Sequence, residues 1–389
     1  MVYALLFLIL LGWGLNVVSQ KYGLQNVIYR REISRSVVEI DEEFQITTIL
    51  ENNKLLPVTF LQVTEKFPAM LNYKFKADLL ATVQYVFHKT TLLLKPYERV
   101  SRVYTVFARQ RGQYTFKEVT LAGGDLLGLN YSHKEVEFEQ KVLVLPKSLP
   151  ISGLQPYGDY YGNISVRRWI IDDPILLTGV REYTGFESER TIHWPSSLKA
   201  GRLMVKQFDY TAENSVMILL NIECSRPSWF NINQEKVEQC ISLARGVLDE
   251  LEQAGIPYGF CTDAYVSGAS NKLNTIHQGI GAYHYSEIVE SLGRIINSLN
   301  LNFEDLLRNF ARLGGICTTY ILITPTVLEP YIWAMNELSA QTTKIILISL
   351  DETNFEHLPA ILKFKAPASE STNAESNIDN SQSIARGDV

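Results

Sequence analysis

The sequence predicts three consecutive parts: an N-terminal transmembrane helix, an all-β sandwich-like module, and an α/β doubly wound domain. Three observations carry this prediction. Residues 1–18 form an uncharged apolar stretch, residues 39–146 alternate apolar and polar side chains in short runs, and from residue 215 continuous apolar runs alternate with helical periods. The predicted boundaries are an anchor over 1–20, a β-rich module over 36–149, a linking segment over 150–213, an α/β domain over 214–365 and a disordered tail over 366–389.

The N-terminal stretch is predicted to be an uncleaved membrane anchor. No charged side chain precedes Lys21, and about 18 apolar residues meet the lower limit for spanning a bilayer. A signal peptide would need a basic start and a small-residue cleavage site, which this stretch lacks, and a buried core helix is the remaining alternative. Basic residues follow the stretch at Lys21, Arg30, Arg31 and Arg35. The positive-inside tendency then predicts a single-pass plasma-membrane protein whose bulk is cytoplasmic and whose anchor contacts the lipid bilayer.

The next segment reads as many short strands. Runs such as FQITTILEN and VTFLQVTEKFP are rich in β-branched and aromatic residues, and turn signals such as Arg111-Gly112 and Gly123-Gly124 separate them. We therefore expect an antiparallel sandwich or an open barrel.

The C-terminal segment changes period. Buried strands are predicted over 215–222, 258–266, 320–324 and 344–350, with helices over 236–254, 287–299, 303–313 and 327–338. Gly255 fits the position that follows a helix end. Strands that alternate with helices predict a doubly wound parallel sheet.

Composition excludes several functions. The net charge is −6 and no block of like charges occurs, so no nucleic-acid partner is expected. The four cysteines lie far apart, which argues against a zinc site or a disulfide framework and favours reduced thiols: Cys224, Cys240, Cys261 and Cys317. The six histidines show no metal-ligand spacing, and neither a phosphate-cradling P-loop nor a nucleophile elbow is present.

Residues 179–209 interleave charged and aromatic side chains unusually densely. This pattern fits an internal strut of ion pairs or a surface that anchors a partner, and the residues alone do not separate the two. An acid–base pair of Glu187 and His193 is a third reading, although two titratable groups are not sufficient for catalysis. The candidate interaction residues are Arg181, Tyr183, Glu187, Arg190, His193, Trp194, Arg202 and Lys206.

The same segment resembles the hallmark of the bacterial domain-of-unknown-function 58 family. The resemblance rests on R-E-Y and R-x-I-H-W between Arg181 and Trp194, and on the continuation L-x-V-K-x-F that begins at Leu203. Upstream, R-G-x-Y from Arg111 and the run that begins at Asp125 fit the family order. The chain departs from the family pattern in showing one membrane helix rather than two, and in having Glu187 where aspartate is usual.

The resemblance implies a von Willebrand factor A-like C-terminal domain and a MoxR-type AAA+ ATPase as partner. The chain would then be a membrane-anchored, non-catalytic scaffold or interaction protein that acts in the assembly or maturation of other proteins. The alternatives are a metal-dependent adhesion module and, in last place, a hydrolase that uses Glu187 and His193.

The metal site that such a domain would carry looks degraded. Its three first-strand positions fall on Asn221, Glu223 and Ser225, where a neutral amide and a longer side chain replace the expected ligands. A later strand ends at Thr324, where aspartate is common. We therefore predict no cofactor, and a weak Mg²⁺ site built on Glu223 is the alternative.

Overall fold

The protein is described by a computed structural model. It covers residues 3, 12–14, 16–18, 21–73, 79–81, 85–124, 131–157, 177–183, 192–208, 215–226, 232–269, 274–313, 317–340, 344–358 and 361–366. The chain divides into two compact units, an N-terminal unit over Met1–Lys147 and a C-terminal unit over Ser148–Val389. The finer domain boundaries stay predictions, and the predicted tail over 366–389 lies almost entirely outside the described residues.

The N-terminal unit is built from strands. Their bounds are β1 Val27–Ile33, β2 Val37–Glu39, β3 Phe44–Asn52, β4 Val58–Pro68, β5 Leu71–Tyr73, β6 Leu79–Ala81, β7 Tyr85–Leu94, β8 Arg99–Ala108, β9 Gly112–Phe116, β10 Val119–Gly124, β11 Tyr131–Val136 and β12 Gln140–Leu145. They form sheets in the orders β1-β3-β8-β5, β11-β10-β4-β7-β6 and β2-β12-β9.

These sheets pack face to face, so the unit is β-sandwich-like. In β3, Phe44 and Ile46 are buried while the residue between them is exposed, as expected of a strand with one face on a core. One apolar cluster joins such residues to Phe67 of β4 and Phe116 of β9. A second cluster joins β1 and β10 to the same strand β4 through Leu61 and its neighbours. Side chains from different sheets therefore share each core.

A buried ion pair crosses between two of these sheets. Arg31 of β1 places Nη2 3.5 Å from Oε1 of Glu65 of β4, and both side chains are almost fully buried. The same carboxylate accepts hydrogen bonds from the hydroxyls of Tyr29 (2.5 Å) and Thr48 (2.9 Å), and its Oε2 lies 3.2 Å from Nδ1 of His88. Burial alone would raise the pKa of Glu65, but the His88 bond and the Arg31 charge outweigh burial and hold that pKa below its usual value.

Aromatic rings enclose the guanidinium of this pair. The carbon Cζ of Arg31 lies 4.7 Å from the ring centre of Phe138, 5.1 Å from Phe67 and 5.5 Å from Phe116. Cation–π attraction therefore supplements the Glu65 counter-ion in this buried layer.

The C-terminal unit combines strands with helices. Its strands are β13 Gln155–Pro156, β14 Leu177–Glu182, β15 Met204–Phe208, β16 Val216–Leu220, β17 Tyr258–Thr262, β18 Ala264–Val266, β19 Ile276–Gly279, β20 Ile295–Leu299, β21 Thr319–Thr324, β22 Lys344–Ser349 and β23 Leu362–Lys365. Its helices are α1 Trp194–Ala200, α2 Gln234–Ala254, α3 Ala282–Arg294, α4 Phe303–Leu313 and α5 Glu329–Ser339, with 3₁₀ turns at Ile151–Gly153 and Phe355–His357.

Seven of these strands form one sheet in the order β13-β23-β22-β21-β16-β17-β19. The strands from β23 to β17 run parallel, whereas β13 and β19 pair antiparallel at the two edges. The strand order reverses at β16, so the loops that follow β16, β17 and β21 meet at one end of the sheet. Helix α2 is capped by Asn233, whose side chain accepts from Lys236 N, and it ends at Gly255 with φ +69°.

One helix position admits no side chain. A Cβ on Gly246 of α2 would lie 1.8 Å from the carbonyl oxygen of Leu149. The close approach of the 3₁₀ segment to α2 therefore requires glycine there.

The predicted fold class needs correction at its N-terminus. Over the residues that the structure describes, no helix is both long and apolar enough to cross a membrane. Most of the predicted anchor over 1–20 lies outside those residues. The finding contradicts the predicted transmembrane helix and the single-pass plasma-membrane location, whereas the contact with the lipid bilayer stays a prediction. The described residues 12–14 and 16–18 are helical, but Gly12, Gly14 and Asn16 among them lower the mean hydropathy of the run.

The predicted doubly wound von Willebrand factor A-like domain is also wrong. The described residues are mostly short strands in several small sheets, the large sheet is mixed, and an extra antiparallel ribbon of β18 and β20 follows β17. The sequence analysis missed the edge strands because they are short and partly polar. It also read 287–299 as one helix, whereas α3 ends at Arg294 and the β-branched pair Ile295-Ile296 opens β20.

Candidate functional site

Buried polar side chains gather where the central parallel strands end. Asn221 and Glu223 follow β16, Asp263 follows β17, and Thr324 ends β21. All four are fully buried although they are polar or acidic. Burial of such groups is tolerated only when hydrogen bonds or charges compensate for the lost water.

The Asn221 side chain is held from two sides. Its Nδ2 donates to Oγ1 of Thr324 at 2.8 Å and to the hydroxyl of Tyr331 at 3.4 Å. Its Oδ1 accepts from the backbone N–H of Glu223 at 2.7 Å. The amide therefore ties the loop after β16 to β21 and to helix α5.

The Glu223 carboxylate is paired with a cation of the chain itself. Nε of Arg226 lies 3.2 Å from its Oε1, and Nη2 of the same guanidinium lies 3.2 Å from Oε2 of Glu304 at the start of α4. The hydroxyl of Tyr331 donates to Oε2 of Glu223 at 2.5 Å. Burial, and then the bond to this carboxylate, raise the pKa of Tyr331, so the phenol keeps its proton as donor.

The second acid of the cluster behaves differently. Asp263 accepts the backbone N–H of Ile222 on Oδ1 at 3.0 Å, while Oδ2 has no hydrogen-bond partner among the described residues. Burial, with a contribution from the negative charge of Glu223, raises the pKa of Asp263 well above its usual value. The protonated form of Asp263 is therefore favoured by its burial beside a second carboxyl group.

The oxygens at the predicted metal positions do not fit a divalent cation. The Asn221 oxygen is used by a backbone N–H, and both Glu223 oxygens are used by Tyr331 and Arg226. Ser225 lies half-buried in the loop beyond them. Within the described ranges, no group of three or more His, Cys, Asp or Glu side chains is placed to hold a metal ion. The prediction that the chain binds no cofactor stays a prediction.

Residues 179–209, the segment that resembles the family hallmark, form a hairpin and a short helix in the part that the structure describes. Strands β14 and β15 pair antiparallel, with Arg181 opposite Val205, and Tyr183 follows β14. Lys206 lies in β15. The predicted site residues Glu187 and Arg190 lie outside the described residues, so their placement stays a prediction.

His193 caps the helix α1. Its Nδ1 accepts the backbone N–H of Ser196 at 3.2 Å and lies 2.8 Å from the Ser196 hydroxyl. Pro195 occupies the first turn, where its missing N–H costs nothing. Because Nδ1 serves as a structural acceptor, only Nε2 of this ring remains for the acid–base role in the hydrolase alternative.

Helix α1 and the loop after it expose large apolar side chains. The exposed fractions are 61% for Trp194, 83% for Leu198 and 42% for Leu203. Exposed basic residues Lys199 and Arg202 adjoin them, and Arg202 forms a 3.0 Å ion pair with Glu182 at the surface. We call these three apolar and two basic residues the Trp194 surface.

Sequence analysis missed Asp263, Tyr331 and Arg226. It read 258–266 as one strand, which hid Asp263 inside an apolar run. The signal that could have found it is topological, because polar residues that follow neighbouring parallel strands meet at one sheet end. Tyr331 lies on a helix that the sequence analysis placed correctly, but its hydroxyl partner was not visible from spacing.

Comparisons with known proteins leave the family open. No protein-family model and no curated protein matches the chain. Among solved structures, it is similar to a cohesin module of a Clostridium perfringens family 33 glycoside hydrolase, with 8% identity over 30% of this chain and 96% of that chain and a TM-score of 0.24. It is also similar to a CARDB domain from Pyrococcus furiosus, with 15% identity over 31% and 94% and a TM-score of 0.21. A cohesin from Archaeoglobus fulgidus shows 8% identity over 30% and 91%, with a TM-score of 0.22. Likenesses at these TM-scores carry no argument about function.

Proposed function

We propose that the chain is a non-catalytic interaction protein whose partner docks on the Trp194 surface. The observation that carries this proposal is the exposure of Trp194, Leu198 and Leu203 within one short helix and its following loop. Exposed apolar groups clustered together and bordered by polar residues are typical of protein-binding sites, and tryptophan is among the residues that contribute most binding energy.

The surface is held in place before any partner arrives. The His193 cap fixes the start of α1, and the Ser197 hydroxyl donates to the His193 carbonyl at 3.0 Å and accepts from Met204 N at 2.8 Å. These bonds join the helix to strand β15. Less conformational entropy is then lost on binding, because the anchor is already ordered.

The charges around the anchor select the partner. Lys199 favours an apolar pocket with an acidic residue at its border, whereas Arg202 is already paired with Glu182. A MoxR-type AAA+ ATPase is the partner that we propose, on the strength of the resemblance to the domain-of-unknown-function 58 family. The chain would present client proteins to this ATPase during their assembly or maturation.

The proposal can be tested by biolayer interferometry, which measures the affinity between the purified chain and the MoxR-type ATPase encoded in the same genome. Trp194→Ala should weaken binding by about 30-fold or more, the effect of losing a hot-spot residue. The matched control is Trp333→Ala, which removes another exposed helical tryptophan. It should leave the affinity unchanged, as should EDTA.

Opposite results would reject specific parts of the proposal. Loss of binding in Trp333→Ala but not in Trp194→Ala would place the contact elsewhere. Loss of binding in EDTA would favour the metal-dependent alternative. A wild-type chain that does not bind the ATPase would exclude this partner class.

A further inference from the structure

Helix α5 presents a second exposed tryptophan, on the side away from the core. Tyr331, Ala334, Met335 and Leu338 of this helix are buried in the apolar cluster of the C-terminal unit. Trp333 points the other way and is 75% exposed. The indole therefore presents a large ring face on the outer side of the helix, available for stacking.

Acidic residues flank this indole along the helix. Glu329 lies four residues before Trp333 and Glu337 four residues after it, and both are exposed. Side chains four residues apart share one face of a helix. The Arg308 Nε lies 4.0 Å from Oε2 of Glu337, longer than the 2.7–2.9 Å of a charge-assisted hydrogen bond, so this carboxylate keeps capacity for another cation.

We propose that the outer face of α5, formed by Glu329, Trp333 and Glu337, is a docking site for an arginine-bearing segment of a partner protein. A guanidinium is planar and stacks on an indole, and its fork of donors also reaches a carboxylate. One arginine side chain could therefore stack on the Trp333 ring and pair with the carboxylate of Glu329 or Glu337 at the same time. An acidic or purely apolar partner would leave the glutamates repelled or desolvated without compensation.

A second copy of the chain that docked through its Trp194 surface would be a poorer occupant. That surface offers two basic residues next to an apolar anchor. There Arg202 is already paired with Glu182 at 3.0 Å, and Lys199 lacks the planar group that stacks on indole. The proposal does not depend on the proposed ATPase partner, because it concerns a different surface of opposite charge.

Fluorescence anisotropy on the full-length chain tests the site with a defined probe. The probe is a fluorescein-labelled 12-residue peptide of alternating arginine and leucine, and its control has citrulline in place of arginine, which removes the charge and keeps the shape. We expect the arginine peptide to bind at least about tenfold more tightly than the citrulline peptide, and its binding to weaken as salt is raised.

The variants assign the binding to α5. Trp333→Ala should weaken arginine-peptide binding about 30-fold, and Glu329→Gln with Glu337→Gln about tenfold. Tyr283→Ala removes an exposed aromatic ring on another helix and should leave binding unchanged. Unaltered thermal melting of each variant ensures that lost binding is not lost folding.

Four results would overturn the proposal. The first is no binding of the arginine peptide at about 1 mM, a concentration at which binding carries only about 4 kcal/mol. The second is equal binding of both peptides, and the third is undiminished binding by Trp333→Ala. The fourth is a dimer of the chain in sedimentation velocity that both Trp333→Ala and Trp194→Ala abolish, because that would identify the second copy as the occupant.

Discussion

Replacement of Glu65 by glutamine removes the charge that crosses the N-terminal sandwich while nearly preserving shape. In Glu65→Gln, the guanidinium of Arg31 stays fully buried but loses its counter-ion. Glutamine retains one acceptor oxygen, so the hydroxyls of Tyr29 and Thr48 keep a partner. The variant therefore removes the charge while keeping these two hydrogen bonds, although an amide nitrogen then takes the place of the oxygen that lies 3.2 Å from Nδ1 of His88.

The expected loss follows from burial. Breaking a buried pair by removing one charge costs about 3–5 kcal/mol, because an uncompensated charge remains in the interior. The aromatic rings around Arg31 recover part of this through cation–π attraction, about 2 kcal/mol at most. We therefore expect the N-terminal unit to lose about 2–4 kcal/mol of its free energy of unfolding.

Hydrogen exchange followed by mass spectrometry measures this loss in each unit separately. A loss of 2–4 kcal/mol should speed exchange in peptides of β1, β3 and β4 by roughly 30-fold to 1,000-fold. Peptides of the C-terminal unit should exchange at the wild-type rate. The matched control is Glu118→Gln, which breaks the surface pair with Lys66 and should change exchange little.

A rescue variant tests the reasoning itself. Arg31→Met combined with Glu65→Gln removes both charges and should recover most of the protection, because an apolar group of similar length replaces the unpaired cation. Wild-type exchange rates in the Glu65→Gln variant would refute this account of the buried charge. So would faster exchange in the double variant than in the single variant.

Three further predictions concern the C-terminal unit. The folded-state pKa of Asp263 lies above its unfolded value, so the stability that its neutral form provides is complete below about pH 4 and is lost as pH rises toward the folded pKa. Urea unfolding should show a decline of about 1.4 kcal/mol per pH unit in that window, which Asp263→Asn lacks, and parallel curves would contradict the raised pKa of Asp263. Gly246→Ala should lower the free energy of unfolding by about 1–3 kcal/mol, because its Cβ meets the Leu149 carbonyl, and an unchanged urea midpoint would disprove that contact. His193→Ala should cost about 1 kcal/mol locally by uncapping Ser196, seen as faster amide exchange in α1, whereas unchanged exchange would mean that the cap contributes nothing.

The sequence predicted the elements that hydrophobic periodicity defines. Helix α4 begins and ends at the predicted residues, and the continuous apolar runs at β16, β21 and β22 form the parallel centre of the large sheet. Periodicity is strong there because both faces of these strands are buried. It fails at β13 and β19, whose edge positions need few apolar residues, and at Ile295, where tertiary pairing with β18 ends a helical pattern.

The candidate site was predictable only in part. Asn221 and Glu223 were singled out through the family resemblance, as degraded metal-site positions, and the structure places both in the buried polar cluster. Arg226, the cation paired with Glu223, lies only three residues away in the chain. Its second partner, Glu304, could not be predicted, because it is distant in sequence and meets Arg226 only when α4 packs near the sheet end. The exposure of Trp194 likewise depends on how α1 folds back on β15 rather than on its neighbours in sequence.

The Arg31–Glu65 pair also bears on how β1 finds its place. Ile33 pairs with Ile46 and Val27 with Asn52 in the observed alignment. A slip of one residue would turn the side chain of Arg31 outward and bring Arg30 or Glu32 into the apolar layer, since successive residues of a strand face opposite sides. With Glu32 facing the core, its carboxylate would be buried next to that of Glu65. With Arg30 facing the core, the apolar residues of the strand would face solvent. The pair thus disfavours other registers of β1 during folding. A strand with only apolar, interchangeable side chains would not discriminate between registers in this way.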